Sequence, residues 1–352
     1  MKRKTIWMVV SVLVVVGLLI AGFGCAPAAP PEAPPPEAIP RAEPAPEGPW
    51  DFQGYWPIRL EGKRIDVVGV LAPHPFELNW HLGMEDENKN YGFDISHFDA
   101  QLDPVTMSDC VDASISRGVD AIILSPVDAV TVSPVIKRAH AANIPVITMF
   151  TPSEYLPDMA YPIDFYAMGT MASEFLAEQI DYKGKVAAVA GDWTTPSSVA
   201  RVKAFEDVMA KYPDIEVAAV VGSETAPWLR QGSYDATRGI LTAYPDVDAI
   251  FGIDDELAYG VILAVEEAGK SDQIVVVGSN GDTPGFEAIR DGKLRGTIVV
   301  SPYQIGREAI IAAGYLLSSP GYKAGTLQGV NWAELTPMTI DNIDELQWPP
   351  AG

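Results

Sequence analysis

Six short apolar runs, each ending in a small or polar turn, constrain this chain more than anything else in it. They are Ile65–Leu71, Ala121–Pro126, Ile144–Thr148, Lys185–Gly191, Ala249–Asp254 and Ile274–Gly278. Runs this short and this uniformly apolar fit strands buried on both faces of a parallel sheet, where alternation of polar and apolar residues is not expected. The amphipathic stretches between them supply the helices that a parallel sheet needs as crossovers. The fold class is therefore α/β. In such sheets ligands sit outside the carboxyl ends of the strands, so candidate functional residues are sought just after each run.

The ends of the chain read differently. Met1-Lys2-Arg3-Lys4 precedes a nearly unbroken apolar stretch, Thr5 to Phe23, and then Gly24-Cys25. A basic start, an apolar middle and small residues before a cysteine form an export signal. It resembles a bacterial lipoprotein signal over residues 1–24, with Cys25 as the lipidated first residue, although Gly22 stands where such signals usually carry leucine. An uncleaved anchor is the alternative, since about 19 apolar residues span a bilayer. Both readings put the body outside the cytoplasm. Residues 25–58, rich in Pro, Ala and Glu, cannot bury a core and read as an extended tether, with a proline-motif ligand as the alternative.

The remaining body is about twice the usual domain size, so two lobes are expected. Its charge is strongly acidic: −23 for all 352 residues, and more negative still without Lys2, Arg3 and Lys4. That argues against nucleic acid or anionic lipid as a partner. Beyond Cys25 the remaining cysteine, Cys110, falls in a helical stretch and reads as a small buried hydrophobe. The four histidines, His74, His81, His97 and His140, lack the spacing of a helical zinc site, and no cofactor or metal is expected. Gly269-Lys270-Ser271 mimics the tail of a phosphate loop, but Ala264 stands at the earlier glycine position and the triplet closes a helix. Asp254-Asp255-Glu256 is the dense carboxylate cluster beside a strand end. An acidic helix start explains two of its members and leaves one carboxylate to face a ligand.

The stretch Val247–Gly260, VDAIFGIDDELAYG, resembles the periplasmic binding proteins of the ribose-binding type, the type 1 class that shares its fold with LacI-type repressor cores. Arg117–Pro126, Ala142–Ile147, Val276–Gly278 with Gly292–Leu294, and Gln304–Gly306 extend the match in order from Ile65 to about Leu317. The resemblance implies two Rossmann-like α/β lobes joined by a three-strand hinge. The first lobe would cover residues 59–163 plus 300–330 and the second 164–299 plus 331–348. It further implies a monomeric, non-enzymatic solute-binding protein that delivers a small polar molecule, a carbohydrate or polyol, to the permease subunits of an ABC importer. A sensory role through a receptor remains the alternative to transport.

Carried over position by position, the resemblance places the ligand site at the strand ends. After the first run it falls on His74, Phe76 and Glu77; after the third, on Phe150 and Thr151. The hinge crossing contributes Asp164 and Phe165. Arg201 matches an arginine whose planar fork reaches ligand oxygens, Trp228 a stacking aromatic, and Asp254 and Asn280 the polar ends of later strands. Three departures stand out. An Asp-Arg pair of ribose binders reads Phe150-Thr151 here, an amide at the crossing reads Phe165, and a later glutamine reads Val300. Trp193 and Tyr166 add aromatic candidates. Loss of polar partners points to a ligand with fewer hydroxyls at those positions. A nucleoside-like, aromatic or cationic ligand is the alternative, using the same aromatics with Glu77, Asp164 and Asp254.

Overall fold

The computed structural model describes residues 60–344. The export signal, Cys25, the tether and residues 345–348 lie outside that range. Among the described residues no helix is long and apolar enough to cross a membrane.

The chain begins as β1 (Arg64–Gly69), α1 (Pro75–Asn88), β2 (Asp94–Asp99), α2 (Pro104–Arg117), β3 (Ala121–Leu124), α3 (Val132–Ala141), β4 (Val146–Phe150) and β5 (Met159–Pro162). It then passes to α4 (Phe165–Gln179), β6 (Gly184–Ala190), α5 (Pro196–Met209), β7 (Ile215–Gly222), α6 (Arg230–Ala243), β8 (Ala249–Gly252), α7 (Asp255–Glu267), β9 (Val275–Val277), α8 (Thr283–Arg290) and β10 (Gly296–Val299). It closes with α9 (Pro302–Ser318), β11 (Gly329–Val330) and β12 (Thr336–Thr339).

Two parallel sheets result. The first runs β11-β5-β4-β3-β1-β2 and the second β7-β6-β8-β9, with every pairing parallel. Both are wound outward from their first strand, so each has a switch point where the order reverses: between β1 and β3, and between β6 and β8. The central strands β3 and β4 are buried along their whole length, as the unbroken apolar runs require.

Three connections join the two sheets. Residues 163–164 lead from β5 into α4. After β10 the chain returns to the first lobe, where α9 lies against α1. A side chain at Gly83 would run into the Tyr303 carbonyl, and one at Gly306 into that of Trp80, so these glycines let the two helix backbones approach closely. Finally, β11 adds to the edge of the first sheet and the chain crosses again to pair β12 antiparallel with β10.

The helix starts follow their sequences. Pro75, Pro104, Pro196 and Pro302 each occupy the first turn of a helix, where a missing N–H costs nothing. Gly269 is in the left-handed region (φ 67°) and its N–H bonds the Glu266 carbonyl, the helix stop expected of that triplet. Cys110 is half-buried on α2 rather than fully buried as expected, and burial raises its thiol.

Candidate ligand-binding site

A cavity of about 100 Å³ lies between the two sets of strand ends. Its lining includes His74, Phe76, Glu77, Phe150, Thr151, Phe165, Arg201, Trp228, Asp254 and Asn280. Asp164 stands apart. It is exposed, and its Oδ1 accepts the Ala167 N–H at 2.8 Å as the cap of α4, so its carboxylate serves the helix start. Trp193 and Tyr166 are exposed and do not line the cavity; the Tyr166 hydroxyl donates to Asp207 at 2.9 Å. Trp80 is fully buried behind Phe150, a core role.

From the first sheet, the turn after β1 supplies His74 as the cap of α1, its Nδ1 accepting the Phe76 N–H at 3.1 Å. Its Nε2 meets Asp254 Oδ2 at 3.1 Å, a bond that spans the cleft. Burial alone would hold the ring neutral. The Asp254 carboxylate, with Asp282 and Glu256 nearby, more than offsets burial and raises the imidazole to about 9. The Phe76 N–H opposes this, because a doubly protonated ring has no lone pair for it. Glu77 accepts the Val70 N–H at 3.3 Å, and burial pushes its carboxyl up to about 7. Phe76 and Phe150 meet edge to face with centroids 4.8 Å apart, and Trp80 backs Phe150 at 5.2 Å.

The second sheet supplies a polar net. Arg201 is buried on α5; its Nη1 donates to the Ile253 carbonyl at 2.9 Å and its Nη2 to Asn280 Oδ1 at 2.6 Å. Its guanidinium lies over the Phe165 ring, 4.9 Å from the centroid. Burial draws it down to about 10, with Asp254, Asp282 and Asp255 opposing, so it stays charged near neutrality. Trp228 closes this side, its indole over Gly191, where any side chain would collide with the ring.

The carboxylate cluster corrects one expectation. No member is left over for a ligand alone: Asp254 is both the cap of α7, accepting the Leu257 N–H at 2.7 Å, and the cavity-lining residue. Asp255 turns inward to accept the N–H groups of Gly281 and Asp282 and the Thr297 hydroxyl. Glu256 pairs with Arg230 at 2.9 Å. Among the described residues no group of three or more His, Cys, Asp or Glu side chains is placed to hold a metal ion.

Backbone strain marks the same place. Phe150 (φ 63°), Trp228 (φ 62°) and Asn280 (φ 111°) all take positive φ and all line the cavity. Bulky side chains avoid this region at a cost of about 1–3 kcal/mol each, a strain that concentrates at ligand clamps. Residues outside the sequence-based set also contribute: Val70, Leu71, Leu102, Ser125, Pro126, Val127, Ile163, Thr195 and Ser197. Most follow strand ends, and the rule that directs attention there applies to them equally; nothing in their residue types distinguishes them from core or loop.

A two-lobed α/β chain with its cavity at both switch points has the architecture of a binding protein. The chain belongs to the periplasmic binding protein domain family, whose model matches residues 65–321. It is 31% identical over 263 residues to the ribose import binding protein of Escherichia coli, covering 74% of this chain and 86% of that one. A xylitol-binding protein of Mycolicibacterium smegmatis is 29% identical over 238 residues, 67% of this chain and 66% of the relative. Among solved structures, a solute-binding protein of an ABC transporter from Bacillus halodurans with bound myo-inositol superimposes with a TM-score of 0.72. Its identity is 23%, and the match covers 81% of this chain and 97% of that one. At that identity the likeness speaks for the fold.

Proposed function

We propose that this chain is the substrate-binding component of an ABC importer, clamping a sugar, polyol or related small polar molecule between its lobes and handing it to a membrane permease. The observation that carries this reading is the cavity itself, lined at once by side chains from the switch points of both sheets. Its relatives bind ribose and xylitol by name. Two compact sheets joined by a few crossing segments can close on a ligand about a hinge. The lobes are assigned as 59–163 with 300–330, and 164–299 with 331–348. The ligand residues are assigned as His74, Phe76, Glu77, Phe150, Thr151, Phe165, Arg201, Trp228, Asp254 and Asn280, without Asp164. Binding and release involve no bond making, so no enzymatic role is assigned.

The N-terminal segment fits a lipid anchor at Cys25 followed by a tether that holds the body at the outer face of the cell membrane. Mass spectrometry of the membrane-extracted protein tests this, and an unmodified Cys25 ends it.

Ligand class is tested by thermal shift across pentoses, hexoses, polyols, nucleosides and amines. A ligand at about 100 times its dissociation constant adds roughly 2.7 kcal/mol, a shift of a few degrees at this size. Stabilisation by a sugar or polyol is the expected result. The aromatic wall of Phe76, Phe150 and Phe165 favours one second reading, a nucleoside-like ligand, and stabilisation by nucleosides alone would replace the first.

A further inference from the structure

Two carboxyl side chains line the cavity, and the protein serves them differently. Asp254 faces His74 at 3.1 Å and accepts the Leu257 N–H. Glu77 is 2% exposed, and its Oε1 accepts the Val70 N–H at 3.3 Å. Its other oxygen, Oε2, is buried without a hydrogen-bond partner among the described residues, and no Lys or Arg there pairs with it.

The groups facing Glu77 do not supply the missing charge. On its own helix, His81 Nε2 lies 3.8 Å from Oε2, too far for a hydrogen bond, and is itself unpartnered. His97, on the edge strand β2, has its ring 4.2 Å from that of His81. Burial lowers both imidazoles, His81 to about 4 with His97 adding, while Glu85 opposes at His97; both are neutral near pH 7. His74 favours an ionised Glu77 but is bonded to Asp254, and Asp99 on β2 disfavours it. Arg201 is taken up by the Ile253 carbonyl and Asn280. A buried carboxyl so placed keeps its proton rather than its charge, and burial, the largest influence, pushes Glu77 up to about 7. Protonated on Oε2, it is a donor with no acceptor among the described residues.

We propose that Glu77 meets the ligand as a carboxylic acid, donating from Oε2 to a ligand oxygen, so that a proton enters the site with the ligand. This rests on the sugar and polyol reading and adds the form in which one polar contact is made. A ligand that shuts water out of the cavity adds to the burial already favouring the acid, so the bound state holds the proton more tightly than the free one. The proton comes from solvent, and no covalent bond of the ligand changes. At about pH 8 the uptake approaches one proton per ligand, and affinity falls as pH rises above 7.

Two measurements test this. Infrared difference titration of the ligand-free protein against Glu77→Gln reads the carboxyl itself. It should show an acid that ionises near pH 7 and is missing from the variant; ionisation in the ordinary carboxylate range overturns the proposal whether or not a sugar binds. Calorimetric titration of the full-length protein with D-ribose, xylitol and myo-inositol, in phosphate and in Tris buffer, counts the protons exchanged. The expected result is net uptake that Glu77→Gln loses, and an affinity at least tenfold weaker at about pH 8.5 than at about pH 6, a fall the variant largely escapes. Asp282, raised to about 7, and His74, raised to about 9, account for what remains in the variant. No uptake by the parent, or uptake undiminished in the variant, overturns the proposal and leaves the sugar reading intact. Proton release on binding means that the ligand brings a cation to an ionised Glu77, and overturns it as well. If none of the three binds while an amine does, the sugar reading falls, and the acid donor with it.

Discussion

The two walls of the cleft come from sheets wound in the same order, yet their chemistry differs. The wall beyond β6, β8 and β9 is a hydrogen-bonded net in which Arg201 joins Asn280 to the Ile253 carbonyl and lies over Phe165. The wall beyond β1, β3 and β4 is mostly aromatic and aliphatic, with His74 reaching out of it to Asp254. Equivalent topology thus supplies equivalent positions for side chains and leaves their character open. One wall is built around directed bonds, while the other sets an edge-to-face aromatic pair beside a few polar groups, Glu77 and Thr151 among them.

The sharpest test of that contrast removes the centre of the polar net. Arg201→Met leaves Asn280 Oδ1 without its donor and strips the counter-charge from Asp254, Asp255 and Asp282. Breaking a buried charge pair in this way costs about 3–5 kcal/mol, and ligand affinity should fall at least tenfold as well. Urea denaturation reads the first and calorimetry the second. A variant as stable as the parent would remove the net from any account of the fold.

Glu77 is next in size and belongs to the other wall. Its carboxyl is raised to about 7 chiefly by burial, with Asp99 adding and the Val70 N–H and His74 opposing. The folded state therefore holds this proton more tightly than the unfolded chain. Its contribution to stability is fully present below about pH 4.5 and is lost as pH rises through 7. Glu77→Gln cannot ionise, so its stability advantage over the parent should grow across that window and level off above it, on the order of 3 kcal/mol. Asp282, also raised to about 7, and Asp255, raised well above its usual range, keep some decline in the variant. Denaturation midpoints at several pH values between 4 and 9 read the difference, and a constant offset contradicts the burial argument.

The contrast between the walls also governs how much could be read from sequence. The doubly buried strands announce themselves as apolar runs, and the family resemblance then picks His74, Phe150, Asp254 and Asn280 out of the residues that follow them. Strand β2, Asp-Ile-Ser-His-Phe-Asp, lies at a sheet edge with most of its residues exposed or half-buried, so its composition carries no strand signal. Leu102, which follows it into the cavity, was hidden with it. Strand β12 contains Pro337, which argues against a strand unless it lies at an edge, as it does here beside β10. Pairings between distant residues were out of reach for a different reason. Arg201 with Asn280 and His74 with Asp254 are 79 and 180 positions apart, and no local period encodes them. The inward turn of Asp255 is of the same kind, since a helix-start pattern reads identically whether the second acid faces solvent or the Gly281 amide.

Trp228 and His74 sharpen the comparison further. Trp228→Ala removes a buried indole packed over Gly191, so it should lower stability by a few kcal/mol, at most about 5, and should weaken binding at least tenfold, about 1.4 kcal/mol. Unchanged affinity would discard the stacking role. His74→Asn is subtler because it separates two functions held by one side chain. Asparagine also caps helices, so the Phe76 N–H keeps an acceptor. But the pairing that raises His74 to about 9 is lost, so the variant should be less stable than the parent below about pH 6.5 and should regain parity as pH rises through 9. The shorter side chain cannot reach Asp254, however, and that bond is made only when the strand ends of the two sheets face each other. Its loss should therefore appear in ligand affinity as well as in unfolding, about fivefold or roughly 1 kcal/mol in affinity. Calorimetry and denaturation on the same preparation separate the two. A loss in stability with affinity unchanged would mean that His74 supports the fold without helping the two walls to meet on a ligand.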